Sequence, residues 1–319
     1  FIILLVLPFV IFSQTGSPDD YYNGFNFNLS PSELKTALAN KITSTSNLQS
    51  YTTAWEALKI SDLAEGSSTH VSLIYGYNNN DGVYKTDATR LKDENQTGSG
   101  SGIGKWNREH VVSKTMAVPT MSTSTGIGTD LHNLRAIDYQ MNSSRGNKKF
   151  EGNGLTGSSS GDGEGWFPGD GTGAGGDDYR GDVARIVMYM CLRYPDMVSA
   201  TDVGLGSTIH DPEMPDIFLE WNEDDPPSPL EITRNNTIES YQGNRNPFID
   251  NPFLAYYIWG GPTISNWWTG VTIGGPGISF NSSNSVDEND STVSANLSVT
   301  MSNYDSNDGN VVLTYSVNS

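Results

Sequence analysis

Cysteine is almost missing: Cys191 is the only one in 319 residues. No disulfide can form within the chain, and a four-cysteine zinc site is excluded. Positive charge is also scarce, with 18 Lys and Arg against 37 Asp and Glu and a formal net charge of −19. That balance argues against a protein that coats nucleic acid or an anionic membrane with its whole surface, although it leaves room for a local basic groove. Long apolar runs are absent as well. The longest, Phe1 to Phe12, is too short to span a membrane. Followed by small and polar residues, it fits the apolar region of a secretory signal peptide better than a buried N-terminal strand. Residues 1–14 are thus expected to be part of a signal, with the mature protein starting near Gln14 and released to the periplasm or medium.

What is present is glycine, 34 residues of it, with hydrophobic residues at 35% and charged residues at 17%. Such a composition suggests long polar loops around a modest core, in one large domain or two ordinary ones. Ser30-Pro31-Ser32-Glu33 is a capping box with proline at the first helical position, and Leu29 and Leu34 are placed to staple it. Leu34, Ala37, Leu38 and Ile42 then mark a helical face. Residues 77–103 and 151–178 read as polar, Gly-rich loops, the second too poor in apolar surface to order itself. GDVARIVMYMCLRY has Val183, Ile186, Val187, Met190, Cys191 and Tyr194 at helical spacing, with Asp182 as N-cap and Cys191 as a buried core thiol. Another helix is expected from Pro229 to Tyr241. Beyond Trp268, Val293 to Met301 alternates strictly with polar residues, as a half-buried strand does, and VVLTYSV follows after a turn.

Several apparent motifs carry no chemistry. Gly157-Ser158-Ser159-Ser160-Gly161 matches G-x-S-x-G but lies in a low-complexity loop, without the strand before it and helix after it that a nucleophile elbow needs. His110 has no second histidine four residues on, so no zinc-protease helix exists there. The acidic Gly-rich loop lacks EF-hand spacing.

Residues 105–150 stand apart. Lys105, Arg108, Lys114, Arg135, Arg145, Lys148 and Lys149 face only Glu109, Asp130 and Asp138, a local excess of positive charge that also holds His110 and His132. A basic island in an acidic protein suits a phosphate-bearing substrate, though charges that merely solvate a surface would look the same. Hydrolysis of a phosphodiester needs a base for water, a hard cation and a cationic donor. A neutral histidine suits the first role. Mg²⁺ takes oxygen ligands and few protein contacts, so Glu109 and Asn142 are available types. Consecutive residues on a strand point to opposite faces, so Glu109 and His110 can share a site only if the backbone bends.

WNREHVVSKT, TDLHNLRAID and MNSSRGNKKF resemble the core of the bacterial endonuclease I family, of the ββα-metal (His-Me finger) nucleases. YRGDVARIVMYMCLRY and the run from Trp221 through DPPSPLEITRN to QGNRNPFIDNP extend the resemblance, in the family's block order, over roughly residues 20–260. It implies an α+β nuclease domain at 20–268, with His110 as general base, Glu109 and Asn142 as ligands of one Mg²⁺ (Mn²⁺ or Ca²⁺ as alternatives), and a hairpin-then-helix hook that gathers them. Some members carry a product-stabilising arginine in the insertion after the REH strand. Residues 116–130 contain none, which leaves Arg135 or Arg145 for that role. Arg108, Lys114, Lys148, Lys149, Arg185 and Arg245 are the expected substrate contacts. Arg185 and Arg245 could equally pair with acidic neighbours, while His132, Gln242, Asn244 and Asn246 read as structural. SVDENDSTV resembles the start of a Calx-beta-type repeat, so 277–319 is expected to open a truncated β-sandwich.

The expected function is a secreted Mg²⁺-dependent endonuclease of DNA or RNA with little sequence preference, monomeric and without a membrane span. One rival is a non-catalytic extracellular binding protein that keeps the nuclease fold. Another is a phosphodiesterase for a different extracellular phosphoester.

Overall fold

Ser30 opens the first helix as its sequence predicts: Glu33 Oε2 accepts from the backbone N–H of Ser30 at 3.0 Å and from its hydroxyl at 2.8 Å. Helix α1, Pro31–Ser44, buries Leu34, Leu38 and Ile42. The structure, a computed structural model, describes residues 18, 20–96, 101–155, 157–159, 165–171, 177–268, 271 and 273, and the backbone of 277–281 and 298–302. The expected signal segment at 1–14 lies outside the described residues.

After α2, Thr53–Ser61, strands β1, His70–Ser72, and β2, Thr89–Leu91, pair antiparallel. Strand β2 and a 3-10 turn at Tyr84–Thr86 fall where the composition predicted loop. The reason is Arg90, whose buried guanidinium bonds Asp138 at 2.5 Å and Asp87 at 2.6 Å and so ties this polar stretch to the core. Strands β3, Trp106–His110, and β4, Leu134–Asp138, form the central hairpin, with Glu109 opposite Arg135 and His110 opposite Leu134. Helix α3, Tyr139–Arg145, follows at once, its N-terminus capped by Asp138, which accepts from the N–H groups of Gln140 and Met141.

Next come β5, Lys149–Phe150, β6, Ser158–Ser159, and β7, Gly165–Phe167, with β7 in the middle, parallel to β5 and antiparallel to β6. The Gly-rich stretch therefore holds a buried strand after all, because Trp166 and Phe167 together supply the apolar surface its neighbours lack. Helix α4, Arg180–Arg193, is the core of the molecule, with twelve of its residues buried. It begins three residues earlier than expected. Tyr179 is the N-cap, and Asp182 sits in the first turn because its carboxylate is drawn to the guanidinium of Arg135. Cys191 packs on this core but is half-buried.

The remaining helices, α5 (Ala200–Val203), α6 (Asp216–Asp224), α7 (Pro229–Gln242), α8 (Pro247–Asp250) and α9 (Phe253–Trp259), close around it. Helix α7 spans the range expected from sequence, started by a Ser228–Glu231 capping box and stopped by Gly243. Gly243 has φ +81°, and a β-carbon there would meet Thr45 O at 2.5 Å, so only glycine fits. Strands β8, Gly277–Asn281, and β9, Ser298–Ser302, pair antiparallel. Strand β9 overlaps the end of the alternating run expected from Val293 to Met301, whose first residues lie, like VVLTYSV, outside the described residues. The mixture of helices with small sheets is an α+β fold. Among the described residues, no helix is long and apolar enough to cross a membrane.

The hairpin is braced by a buried ion network. Asp62 accepts from Arg234 at 2.9 Å and from the N–H of Ala136 at 2.7 Å, while Arg135 reaches Asp62 and Asp182. All five residues of β4 are buried. Strand β4 is thus fixed in the core, with Arg135 on the same face of the hairpin as its cross-strand partner Glu109.

Candidate active site

At the end of β3 a polar pocket of about 230 Å³ opens, lined by Glu109, His110, Arg108, Lys114, Asn142 and Tyr51 among others. Glu109 and His110 line it together. His110 is the last residue of β3, and the chain then leaves the strand: Asn133 accepts from the N–H of Val111 with its backbone oxygen at 3.0 Å and from that of Val112 with Oδ1 at 2.8 Å. The required bend comes at the strand end.

His110 Nε2 lies 2.8 Å from the carbonyl of Gly128. A carbonyl only accepts, so the proton sits on Nε2 and Nδ1 keeps a free lone pair. The ring stacks on Tyr51 at 5.9 Å. Burial lowers the His110 pKa to about 4, so the imidazole is neutral near pH 7. Glu109, 2% exposed, has its pKa raised to about 7 by burial, against the opposing charge of Arg145, whose Nε is 3.4 Å from Oε1. Oε1 is buried without a hydrogen-bond partner. Asn142, on α3, directs its Nδ2 toward the carbonyl of Arg108 at 3.5 Å. The site thus places one under-satisfied carboxylate and one amide on the same pocket wall, a donor set suited to a hard cation that keeps most of its waters. Among the described residues no cluster of three or more His, Cys, Asp and Glu is placed to hold a metal.

The expected cations divide sharply. Arg108 lines the pocket with its guanidinium 3.4 Å from the Tyr51 ring and 4.0 Å from that of Trp55. Lys114 is exposed at the rim. Lys148 lies outside the pocket lining, bonding Ser144 O at 2.6 Å, and Lys149 turns away to Thr201 O at 2.9 Å. Arg185 is fully buried in a bidentate pair with Glu231 at 2.8 and 2.5 Å. Arg245 is spent on Asp250 and Glu239. Arg135 is 1% exposed between Asp62 and Asp182. None of these three reaches the pocket, because carboxylates claim each guanidinium, far along the chain for Arg135 and Arg185 and within six residues for Arg245. Arg145 is also fully buried and bonds Val111 O, Gly146 O and Ser113 Oγ. It stands behind Glu109 and not over the pocket.

His132 is fully buried, its Nε2 3.3 Å from Asn244 O. Gln242, Asn244 and Asn246 hold buried turns. Tyr51, Asn107, Ser113, Gly146 and Asn147 also line the pocket. Ser113, Gly146 and Asn147 fall within the motif blocks quoted above, but Tyr51, in the connection ahead of α2, carries no signal in its local sequence.

A family model described as Endonuclease I matches residues 30–253. An extracellular ribonuclease of Bacillus subtilis (strain 168) is 38% identical over 252 residues, covering 76% of this chain and 78% of its own length. An extracellular ribonuclease of Bacillus amyloliquefaciens is 37% identical over 237 residues, covering 71% and 73%.

Proposed function

The chain belongs to the endonuclease I family, and from that premise we propose that it is a secreted, metal-dependent endonuclease that hydrolyses phosphodiester bonds with little sequence preference. The observation that carries this reading is the convergence of His110, Glu109 and Asn142 on one polar pocket rimmed by Arg108 and Lys114. The relatives named extracellular ribonucleases favour RNA as the substrate to test first, and they favour export of the chain.

In this reading strands β3 and β4 with helix α3 are the ββα-metal finger. Arg108 and Lys114 draw the sugar-phosphate backbone to the pocket, through contacts that carry no base information. Glu109 and Asn142 would hold Mg²⁺, and a buried carboxylate beside an amide in one pocket lining supports that fit. A bound Mg²⁺ would offset negative charge on the phosphate oxygens. His110, with its proton held at Nε2 by Gly128, uses Nδ1 to take the proton of a water that attacks phosphorus, and the bond to the leaving sugar oxygen breaks. Arg145 keeps Glu109 in place from behind.

The test is cleavage of RNA and of plasmid DNA by the purified protein in Mg²⁺ or EDTA, with His110→Ala beside the wild type. Metal-dependent cleavage lost in the variant supports the reading, and the faster substrate identifies the preference. Folded wild-type protein that cuts neither polymer would sink it and favour a binding protein with a nuclease fold.

A further inference from the structure

Tyr75 holds the only positive φ found outside glycine among the described residues, at 67°. It is the third residue of a turn closed by the N–H of Gly76 on Leu73 O at 3.0 Å. Turn chemistry would select glycine or asparagine there, since a bulky side chain rarely adopts this conformation. The turn is nonetheless pinned. Ile74 N–H donates to Ala136 O on β4 at 2.9 Å, and the Tyr179 hydroxyl reaches Leu73 O and Gly76 O, both at 3.2 Å. Tyr75 itself is fully buried, its ring against Trp166 and Tyr179.

The tyrosine's hydroxyl is influenced by the Arg145 guanidinium but makes no close hydrogen bond. It is buried without a hydrogen-bond partner of good geometry, and so are Glu109 Oε1, Arg145 Nε, and Nε and Nη2 of Arg135. These atoms belong together. Ala136, which receives Ile74, is the neighbour on β4 of Arg135, and Arg135 is the cross-strand partner of Glu109. The charges acting on the Tyr75 phenol are those of Glu109, Arg145 and Arg135, in that order. Strained backbone held in place by its surroundings, and a polar atom that serves no fold contact, are features that cluster at functional sites.

We propose that Tyr75 is a positioning residue for Glu109: with Arg145 it supplies the donors for the inner oxygen, Oε1, and so aims the other carboxylate oxygen into the pocket. The proposal rests on the reading of Glu109 as a metal ligand. It adds a partner from outside the ββα unit, and it explains why the turn keeps a tyrosine where glycine would be easier.

Tyr75→Phe removes the hydroxyl alone. Three quantities are measured on wild type and variant: Mn²⁺ affinity by calorimetry without substrate, the Mg²⁺ concentration for half-maximal cleavage of RNA, and Tm in EDTA. Loss of an outer partner of a metal ligand costs about 10–100-fold. The expected result is Mn²⁺ affinity lower by about that factor, a matching rise in the Mg²⁺ requirement, and an unchanged or higher Tm. A merely structural hydroxyl would instead lower Tm and leave both metal readouts alone. That result, unchanged metal readouts at any Tm, or a variant that does not fold would each overturn the proposal. Wild-type protein that neither binds Mn²⁺ nor cleaves would overturn the nuclease reading itself, whereas metal-dependent wild type with an indifferent variant overturns only the role of Tyr75.

Discussion

Asp130 offers the sharpest test of how the core supports the site. Its side chain is fully buried and accepts from Arg193 at 2.6 Å, Tyr189 at 3.0 Å, Tyr194 at 2.9 Å, Gln242 at 2.8 Å and the N–H of His132 at 3.0 Å. It thereby fixes the 3-10 turn Leu131–Asn133, whose Asn133 holds Val111 and Val112 just past His110. Burial pushes the Asp130 carboxyl up, but Arg193, His132 and the surrounding donors outweigh it and hold its pKa below the usual range. Asp130→Asn keeps the shape and leaves Arg193 without its counter-charge. Removing one partner of a buried pair costs about 3–5 kcal/mol. At about 2–4 °C per kcal/mol for a domain of this size, Tm should fall by about 6–20 °C at pH 7. The sign with pH follows from the lowered pKa. The wild-type contribution is present above the unfolded value of about 3.9 and is lost as pH falls through the folded value. The two proteins should therefore converge in acid. Urea unfolding from pH 7 down to pH 3 measures this. A loss under about 1 kcal/mol at pH 7, or a gap that does not narrow in acid, would refute the reasoning, because the desolvation of Asp130 would then cancel its bonds.

Glu109→Gln should lose more Mn²⁺ affinity than the roughly 10–100-fold expected for an outer partner; calorimetry showing wild-type affinity would remove Glu109 from the ligand set. Burial pushes the Cys191 thiol up to about 12, so the reactive thiolate is ~1 part in 10⁴ at pH 8. Native protein should resist a disulfide reagent for hours and react at once in urea, and rapid native labelling would show that the half-buried thiol is not held protonated by its surroundings. Two of the expected cations, Arg108 and Lys114, remain on the pocket, which sets the salt dependence of RNA binding by the His110→Ala protein. At about −0.7 per phosphate contact for a single strand, log K against log salt should slope by about −1.4, whereas all six expected contacts would give about −4. The steeper slope would contradict the burial of the arginines.

What could be read from the sequence was local, and what could not was decided by partners far along the chain. The Ser30 and Ser228 boxes need only residues three apart, and both are formed as helix starts. The blocks WNREH, LRAID and MNSSR carry strand, strand and helix in contiguous runs, so the three elements at the pocket were visible as blocks. The fate of each arginine was not. A guanidinium looks alike in sequence whether it faces solvent or a buried carboxylate. Arg135 is claimed by Asp182, Arg185 by Glu231 and Arg234 by Asp62, across separations of 47, 46 and 172 residues. The sequence therefore offered Arg135 for product stabilisation and Arg185 for substrate contact, where the fold spends both on buried carboxylates. The same logic explains Trp166 and Phe167, whose burial against β5 overrode a glycine-rich setting, and Tyr51, which gains its place only when Arg108 and His110 cover it. It also ranks the remaining cations. A positive side chain in this acidic protein is free for phosphate only where no carboxylate has been folded against it, and Lys114, exposed at the pocket rim, meets that condition better than any arginine in the core.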